Sequence, residues 1–156
     1  MLRLEPFLTE WTFHLADGTI TKRRLDDQMA EFPRIDVRRI GQPFRYSYLM
    51  RFAERSELAF DGVIRHDRLT GETSSHTWPD GWYGCETPFC PKQGATDEAE
   101  GYLVAFVAEE ATGRSEVHVL DAARLEDGPV CRLAVPARVP AGYHSWWVPA
   151  EDLASS

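Results

Sequence analysis

The sequence is organised as short strand pairs joined by glycine turns, and this pattern restricts the fold more than any other feature. Residues 8–15 largely alternate polar and apolar side chains, which is the period of a half-buried strand. Turns at Gly18, Gly71 and Gly113 each follow one strand-like stretch and precede a returning one, at spacings of 53 and 42 residues. No stretch has the periodicity of an amphipathic helix of three turns. The pattern predicts an all-β fold of antiparallel strands.

The predicted strands also indicate how the sheets are arranged. The stretch 102–108 is apolar on both faces, which is typical of a central strand. Several strands recurring every 40 to 50 residues or so indicate propeller blades, although three unrelated hairpins in a sandwich would give the same spacing. The predicted strands are 8–15, 19–25, 44–52, 59–65, 72–78, 102–108, 115–120 and 129–135, with one short helical turn at 121–125.

Charge and composition exclude several classes of protein. The net charge of -8 argues against a nucleic-acid partner. The apolar run at 102–108 is far shorter than the roughly 20 residues that cross a bilayer. Arg3, Glu5 and Glu10 are unlike a signal peptide, and three cysteines do not make a disulfide framework. We therefore expect a cytoplasmic protein.

An aromatic segment near the C-terminus, residues 138–149, carries a single histidine, His144. Pro140 and Gly142 favour a bend just before it. We expect this bend to place the imidazole at one position, while the neighbouring aromatic side chains exclude water from it: Tyr143, Trp146 and Trp147. A core histidine bonded to a backbone carbonyl is the simpler interpretation of the same residues.

Two glutamates lie in upstream stretches that also contain proline. Glu31 begins the hexapeptide Glu-Phe-Pro-Arg-Ile-Asp, which two arginines and the aromatic stretch 44–48 follow. Glu86 lies in the stretch 84–91, ahead of the acidic stretch 97–103. Without further information, each would be interpreted as an exposed glutamate beside a turn.

Taken in order, these three stretches resemble the carotenoid cleavage oxygenases, the family that includes the lignostilbene dioxygenases. The resemblance covers nearly the whole chain. It implies that residues 1–156 are a single C-terminal fragment of a seven-bladed β-propeller domain. We therefore predict three or so sheets in an incomplete propeller, with Glu31, Glu86 and His144 facing one central axis.

The resemblance also implies a metal site. The family holds a non-haem Fe(II) ion with four histidines, which three glutamates orient, and open positions on such an ion take O2. His144 matches the last iron ligand, Glu86 the glutamate that orients it from about 2.6 to 3.2 Å, and Glu31 a glutamate that orients another ligand. The other ligands are expected upstream of Met1, and no catalytic residue separate from the metal site is predicted.

The implied activity is oxidative cleavage of a carbon–carbon double bond. The substrate would be a small apolar conjugated molecule, namely a carotenoid, an apocarotenoid or a stilbene, and O2 would be the second substrate. The 156-residue chain alone is expected to be inactive. The resemblance leaves open a peripheral membrane contact through parts of the family fold that this chain lacks. The alternative is a non-catalytic all-β binding or structural module, or a decayed remnant without the metal.

Two residues depart from the family pattern. Ser145 follows the histidine where the family usually has glycine. Thr87 follows Glu86 where the family tends to have proline, and Pro88 comes one residue later. The second departure puts the direction of the Glu86 side chain in question.

The remaining histidines and cysteines match no ligand motif. We expect the four other histidines to lie on the surface: His14, His66, His76 and His118. Cys85 and Cys90 have the spacing of a zinc pair, but a four-ligand site would also need His76 and either Cys131 or a distant histidine. We expect Cys85 and Cys90 to be small buried apolar residues instead.

Overall fold

A computed structural model describes residues 5–153, and nearly all of its regular structure is antiparallel β-strand. No helix among these residues is long and apolar enough to cross a membrane. Single-turn 3-10 helices lie at Val37–Arg39 and Leu125–Asp127, and one short α-helix, α1, at Ala150–Leu153. The strands are β1 (Phe7–His14), β2 (Thr19–Arg34), β3 (Tyr46–Phe52), β4 (Phe60–Asp67), β5 (Thr73–Thr77), β6 (Trp82–Gly84), β7 (Phe89–Pro91), β8 (Gly101–Glu109), β9 (Ser115–Asp121) and β10 (Pro129–Val135).

The strands form one hydrogen-bonded sheet in the order β1-β2-β3-β4-β6-β8-β9-β10, with β5 branching from β4 and β7 from β8. The prediction of an all-β antiparallel fold is confirmed. The expected number of three or so sheets is wrong, because β2 pairs with β1 along its first half and with β3 along its second. The pair Phe60–Gly84 then joins β4 to β6 and extends the sheet further.

The sequence located most of the strands but not their full lengths. The predicted strand 129–135 coincides with β10, whereas the predicted strand 19–25 extends to Arg34 as β2. The second half of β2 was missed because its acidic and polar residues lack the alternation of a half-buried strand. β6 and β7, of three residues each, were too short to show any period.

The main hydrophobic core joins the middle strands to the C-terminal half of the sheet. On β8, Leu103, Ala105 and Val107 are fully buried, which confirms that this is a central strand. They form one cluster with Tyr48 and Met50 of β3. Burying one such leucine or valine contributes about 1.5 to 3 kcal/mol, so this cluster fixes the strands that flank the site described below.

Three of the four histidines expected on the surface are not there. His66 and His118 are each 2% exposed, and His76 is half-buried; only His14 is exposed as predicted. On β9 the alternation was assigned to the wrong face. His118 lies opposite Ala105 on the buried side, while the more apolar Val117 lies on the other side.

Candidate metal-ligand site

His144 lies against Glu86. Its Nδ1 atom is 3.4 Å from Glu86 Oε2, which is ion-pair distance and slightly longer than the predicted hydrogen bond of about 2.6 to 3.2 Å. The glutamate side chain is 4% exposed and the histidine side chain 75% exposed. The fold therefore brings together two residues that are 58 positions apart in the sequence, with the carboxylate buried and the imidazole near the surface.

The Glu86 carboxylate has other partners besides the imidazole of His144. The Ser145 N–H donates to Oε2 at 2.6 Å, and Arg34 Nε donates to Oε1 at 2.7 Å. Burial is the largest single influence and by itself raises the pKa of Glu86. The hydrogen bonds from Arg34 and Ser145, together with the Arg34 charge, outweigh it, so the pKa lies below its ordinary value. The group is therefore an ionised carboxylate at neutral pH, held beside an imidazole nitrogen.

Both departures from the family pattern have a structural role here. The Ser145 hydroxyl donates to the Glu86 backbone oxygen at 2.8 Å, a bond that glycine could not make. Thr87 is buried, and its hydroxyl lies 3.0 Å from Met50 Sδ and 3.2 Å from the Cys85 backbone oxygen. With Thr87 anchored in the core, the Glu86 side chain still reaches His144.

Glu31 directly precedes, in the sequence, a residue that contacts His144. It is opposite Met50 in the β2–β3 pair, and its Oε2 accepts the Phe32 N–H at 3.2 Å. No hydrogen bond or ion pair described for residues 5–153 joins it to His144. The neighbouring residue, Phe32, does contact His144: the two rings pack edge to face, with centroids 5.4 Å apart and an interplanar angle of 71°. The sequence indicated no role for this phenylalanine.

The expected aromatic shield around His144 is wrong. Tyr143, Trp146 and Trp147 are all exposed, so they do not exclude water from the imidazole. The segment lies on the surface. Polar contacts with Arg34 and Glu86 hold it in place there, and burial of its aromatic residues does not contribute. Arg34 extends over the Trp146 ring at 5.1 Å from its centroid.

The imidazole present here suits a histidine-ligated metal, but the described residues do not complete the set. A ligand histidine usually donates its second ring N–H to a carboxylate, and Glu86 lies beside Nδ1, which leaves Nε2 for the metal bond. Within residues 5–153, no group of three or more His, Cys, Asp or Glu is placed to hold a metal ion. Cys85 and Cys90 are buried, as predicted, and Cys131 is exposed.

A cleft of about 450 Å³ runs beside the segment that carries His144. Its lining is mainly apolar, and the charged pair Arg55–Glu110 also borders it. Arg55 lies over the ring of Tyr83, 4.8 Å from the centroid. The apolar part of the lining includes Leu58, Phe60, Phe106, Val139 and Pro140.

The sequence resembles proteins that cleave carotenoids and stilbenes. It is 31% identical to lignostilbene-α,β-dioxygenase isozyme III of Sphingomonas paucimobilis, over 95% of this chain and 33% of that protein. It is 30% identical to carotenoid 9,10(9',10')-cleavage dioxygenase 1 of Pisum sativum, over 94% and 29%. Isoeugenol monooxygenase of Pseudomonas nitroreducens is 30% identical, over 92% and 32%. The chain thus spans about a third of the length of these relatives.

The fold agrees with these sequence matches. Cobalt-substituted apocarotenoid oxygenase of Synechocystis superposes with a TM-score of 0.83 at 24% identity, over 91% of this chain and 30% of that one. The strands are therefore those of part of the carotenoid oxygenase propeller. Residues 2–149 match the profile of the family described as retinal pigment epithelial membrane protein, so the chain belongs to this family of carotenoid oxygenases.

Proposed function

We propose that this chain is the C-terminal part of a non-haem Fe(II) dioxygenase that cleaves a carbon–carbon double bond. The observation that carries the proposal is the contact between Glu86 and His144. A buried, ionised carboxylate beside Nδ1 of an accessible imidazole is the usual arrangement around a ligand histidine. Membership of the carotenoid oxygenase family also supports the assignment of His144 as a metal ligand.

In this proposal each residue has a defined role. His144 supplies one imidazole ligand through Nε2, and Glu86 holds the proton on Nδ1 and so fixes the tautomer. A bound ferrous ion with open positions supplies the activation of O2. Glu31 is assigned to orient another ligand by family resemblance alone, since its described contact is with the backbone of Phe32.

Exposed apolar side chains at both ends of the sheet support the fragment interpretation. Phe13 and Ile20 face each other across the β1–β2 ribbon, and both are more than half exposed. Leu133 of β10 is also more than half exposed and lies in a row with Val117 and Phe106. Contiguous apolar surface of this kind marks contact sites. Neighbouring blades of the propeller would cover both faces. We propose that the isolated chain is inactive for a separate reason: within residues 5–153 no group of three or more His, Cys, Asp or Glu is placed to hold the metal ion.

The proposed substrate class is a small apolar conjugated molecule, with O2 as the second substrate. The relatives are named for lignostilbene, a carotenoid and isoeugenol. The apolar cleft beside the His144 segment fits the same chemistry. The cytoplasmic location expected from the sequence stays a prediction.

The test joins this chain to the upstream two thirds of the Synechocystis oxygenase, the part that it does not match. The readouts are iron content after dialysis and oxygen uptake with a stilbene and an apocarotenoid. His144→Ala should abolish iron retention, and Glu86→Ala should weaken metal affinity or activity by about 10- to 100-fold. His14→Ala is the matched control, because His14 is exposed on the β1–β2 ribbon and has no assigned role.

Two results would each overturn one part of the proposal. One is iron retention in the His144→Ala chimera equal to that of its parent, which would favour the non-catalytic module. The other is stoichiometric iron and substrate-dependent oxygen uptake by the 156-residue chain alone, which would overturn the proposed inactivity of the isolated chain. Sequencing the DNA upstream of Met1 is a cheaper first step: an open frame encoding three further ligand histidines is expected, whereas a stop codon after an unrelated gene would favour the module or the remnant.

A further inference from the structure

The end of β2 contains a β-bulge next to His144. Glu31 pairs with Met50 and Arg34 pairs with Tyr48. The paired residues are therefore three positions apart on β2 but only two positions apart on β3. Such bulges re-aim side chains and recur beside active sites. Phe32, inside the bulge, has a φ of 54° and is the one non-glycine residue with positive φ among those that the structure describes. Because this backbone conformation is unfavourable for a side chain of this size, the surrounding contacts must hold it in place.

The two side chains that flank the bulge's proline both contact the histidine segment. The Phe32 ring packs on Phe60 of the core, with centroids 5.3 Å apart, and presents an edge-to-face contact to the imidazole. The Arg34 guanidinium donates to Glu86 through Nε at 2.7 Å and to the Ser145 carbonyl oxygen at 3.0 Å. The bulge thus contacts the ring of His144 and the backbone of the next residue.

The segment itself has no ladder to fix it. Residues 136–149 adopt neither strand nor helix. The hydrogen bonds described for Ser145 all go to Glu86 and Arg34: its N–H and hydroxyl donate to the glutamate, and its carbonyl accepts from the arginine. The position of His144 therefore depends on side chains that are distant in the sequence.

We propose that the bulge Phe32–Arg34 positions His144, with Arg34 fixing the backbone through Glu86 and Ser145 and with Phe32 fixing the ring. Neither residue contacts reacting atoms, so both are positioning residues. The inference rests on the proposed function for what His144 is positioned to do. The positioning itself depends only on the contacts above and can be measured without a metal.

The test of Arg34 is amide hydrogen exchange of Ser145, followed by NMR in the 156-residue chain. Arg34→Gln should speed exchange of this amide by about tenfold or more. The local opening that exposes the amide would no longer have to break the hydrogen bonds of the guanidinium, so it would occur more often. Arg34→Lys should restore most of the global stability but not the slow exchange, since an ammonium group lacks the planar fork that reaches two acceptors. Arg45→Gln is the control: it removes a comparable arginine–carboxylate pair, with Asp67, that is remote in sequence from Ser145.

The test of Phe32 is the chemical shift of the His144 ring protons. Phe32→Leu keeps an apolar side chain but removes the aromatic ring current, so the shift should move toward its value in the unfolded chain. Ser145 exchange within about twofold of the Arg45→Gln value in both Arg34 variants would overturn the role of Arg34. If Arg34→Gln does not fold, the lysine variant decides. An unchanged His144 shift would overturn the role of Phe32. Iron retention by the chimera, with and without His144→Ala, bears on the proposed function alone. Failure of the proposed function and failure of the positioning role are therefore measured separately.

Discussion

The Arg34–Glu86 ion pair should be one of the strongest polar interactions in the protein, and a double-mutant cycle can measure it. The pair has an N–O distance of 2.7 Å, and the two side chains are 22% and 4% exposed. A hydrogen bond to a charged group contributes about 1.5 to 3 kcal/mol, and partial exposure of Arg34 places this one near 2 kcal/mol. Removing one partner also leaves the other poorly solvated.

These values give specific expectations. Arg34→Gln and Glu86→Gln should each lower the free energy of unfolding by about 2 to 3 kcal/mol. The double variant should lose about 3 kcal/mol rather than the sum, which corresponds to a coupling energy of about 2 kcal/mol. The assay is urea unfolding followed by circular dichroism, with the four proteins measured at one pH and salt concentration.

The exposed pair Arg55–Glu110 provides the control cycle. Its N–O distance is 3.1 Å, and its side chains are 25% and 58% exposed. Surface pairs of this kind contribute about 0 to 1 kcal/mol and weaken with salt. The reasoning would be refuted if the Arg34–Glu86 coupling were no larger than the control, or if salt removed it to the same extent.

Three further predictions follow from single positions. The hydrogen bond from Arg45 lowers the pKa of Asp67 from 3.8 to about 2. The ionised Asp67 carboxylate should therefore contribute fully to stability above pH 3.8, and this contribution should be lost as the pH falls toward 2. Acid unfolding of the wild type and of Asp67→Asn should differ within that pH window. Gly101→Ala should lower the free energy of unfolding by about 1 to 3 kcal/mol, measured by thermal or urea unfolding, because the added methyl would overlap a phenylalanine ring and lie 2.8 Å from a backbone oxygen. The control is Gly142→Ala, whose added methyl meets nothing within 4 Å and should leave stability nearly unchanged. Iodoacetamide should label the folded chain at Cys131 alone, since the two other cysteines are buried; mass spectrometry showing equal labelling of all three would contradict the fold.

Short-range patterns in the sequence predicted much of the fold. Alternating side chains and turn glycines located most of the strands, since a two-residue period and a positive φ are properties of a few neighbouring residues. The same patterns could not choose the buried face of β9. Val117 and His118 lie on opposite faces, and the half-exposed face carries the more apolar residue. Which face is buried depends on the strands that pack against it, and these are distant in the sequence.

By itself, the sequence determined the all-β class and, through three ordered motifs, pointed to His144 and Glu86. Only the tertiary structure decided how these two residues meet. Arg34 reaches Glu86 across 52 positions and Ser145 across 111, and no local pattern encodes such contacts. The bulge at Phe32 is likewise a product of pairing between two strands, because its extra residue exists only relative to β3. The imidazole is exposed for the same reason: burial depends on which surfaces a fold places around a side chain, and not on the aromatic residues beside it in the chain.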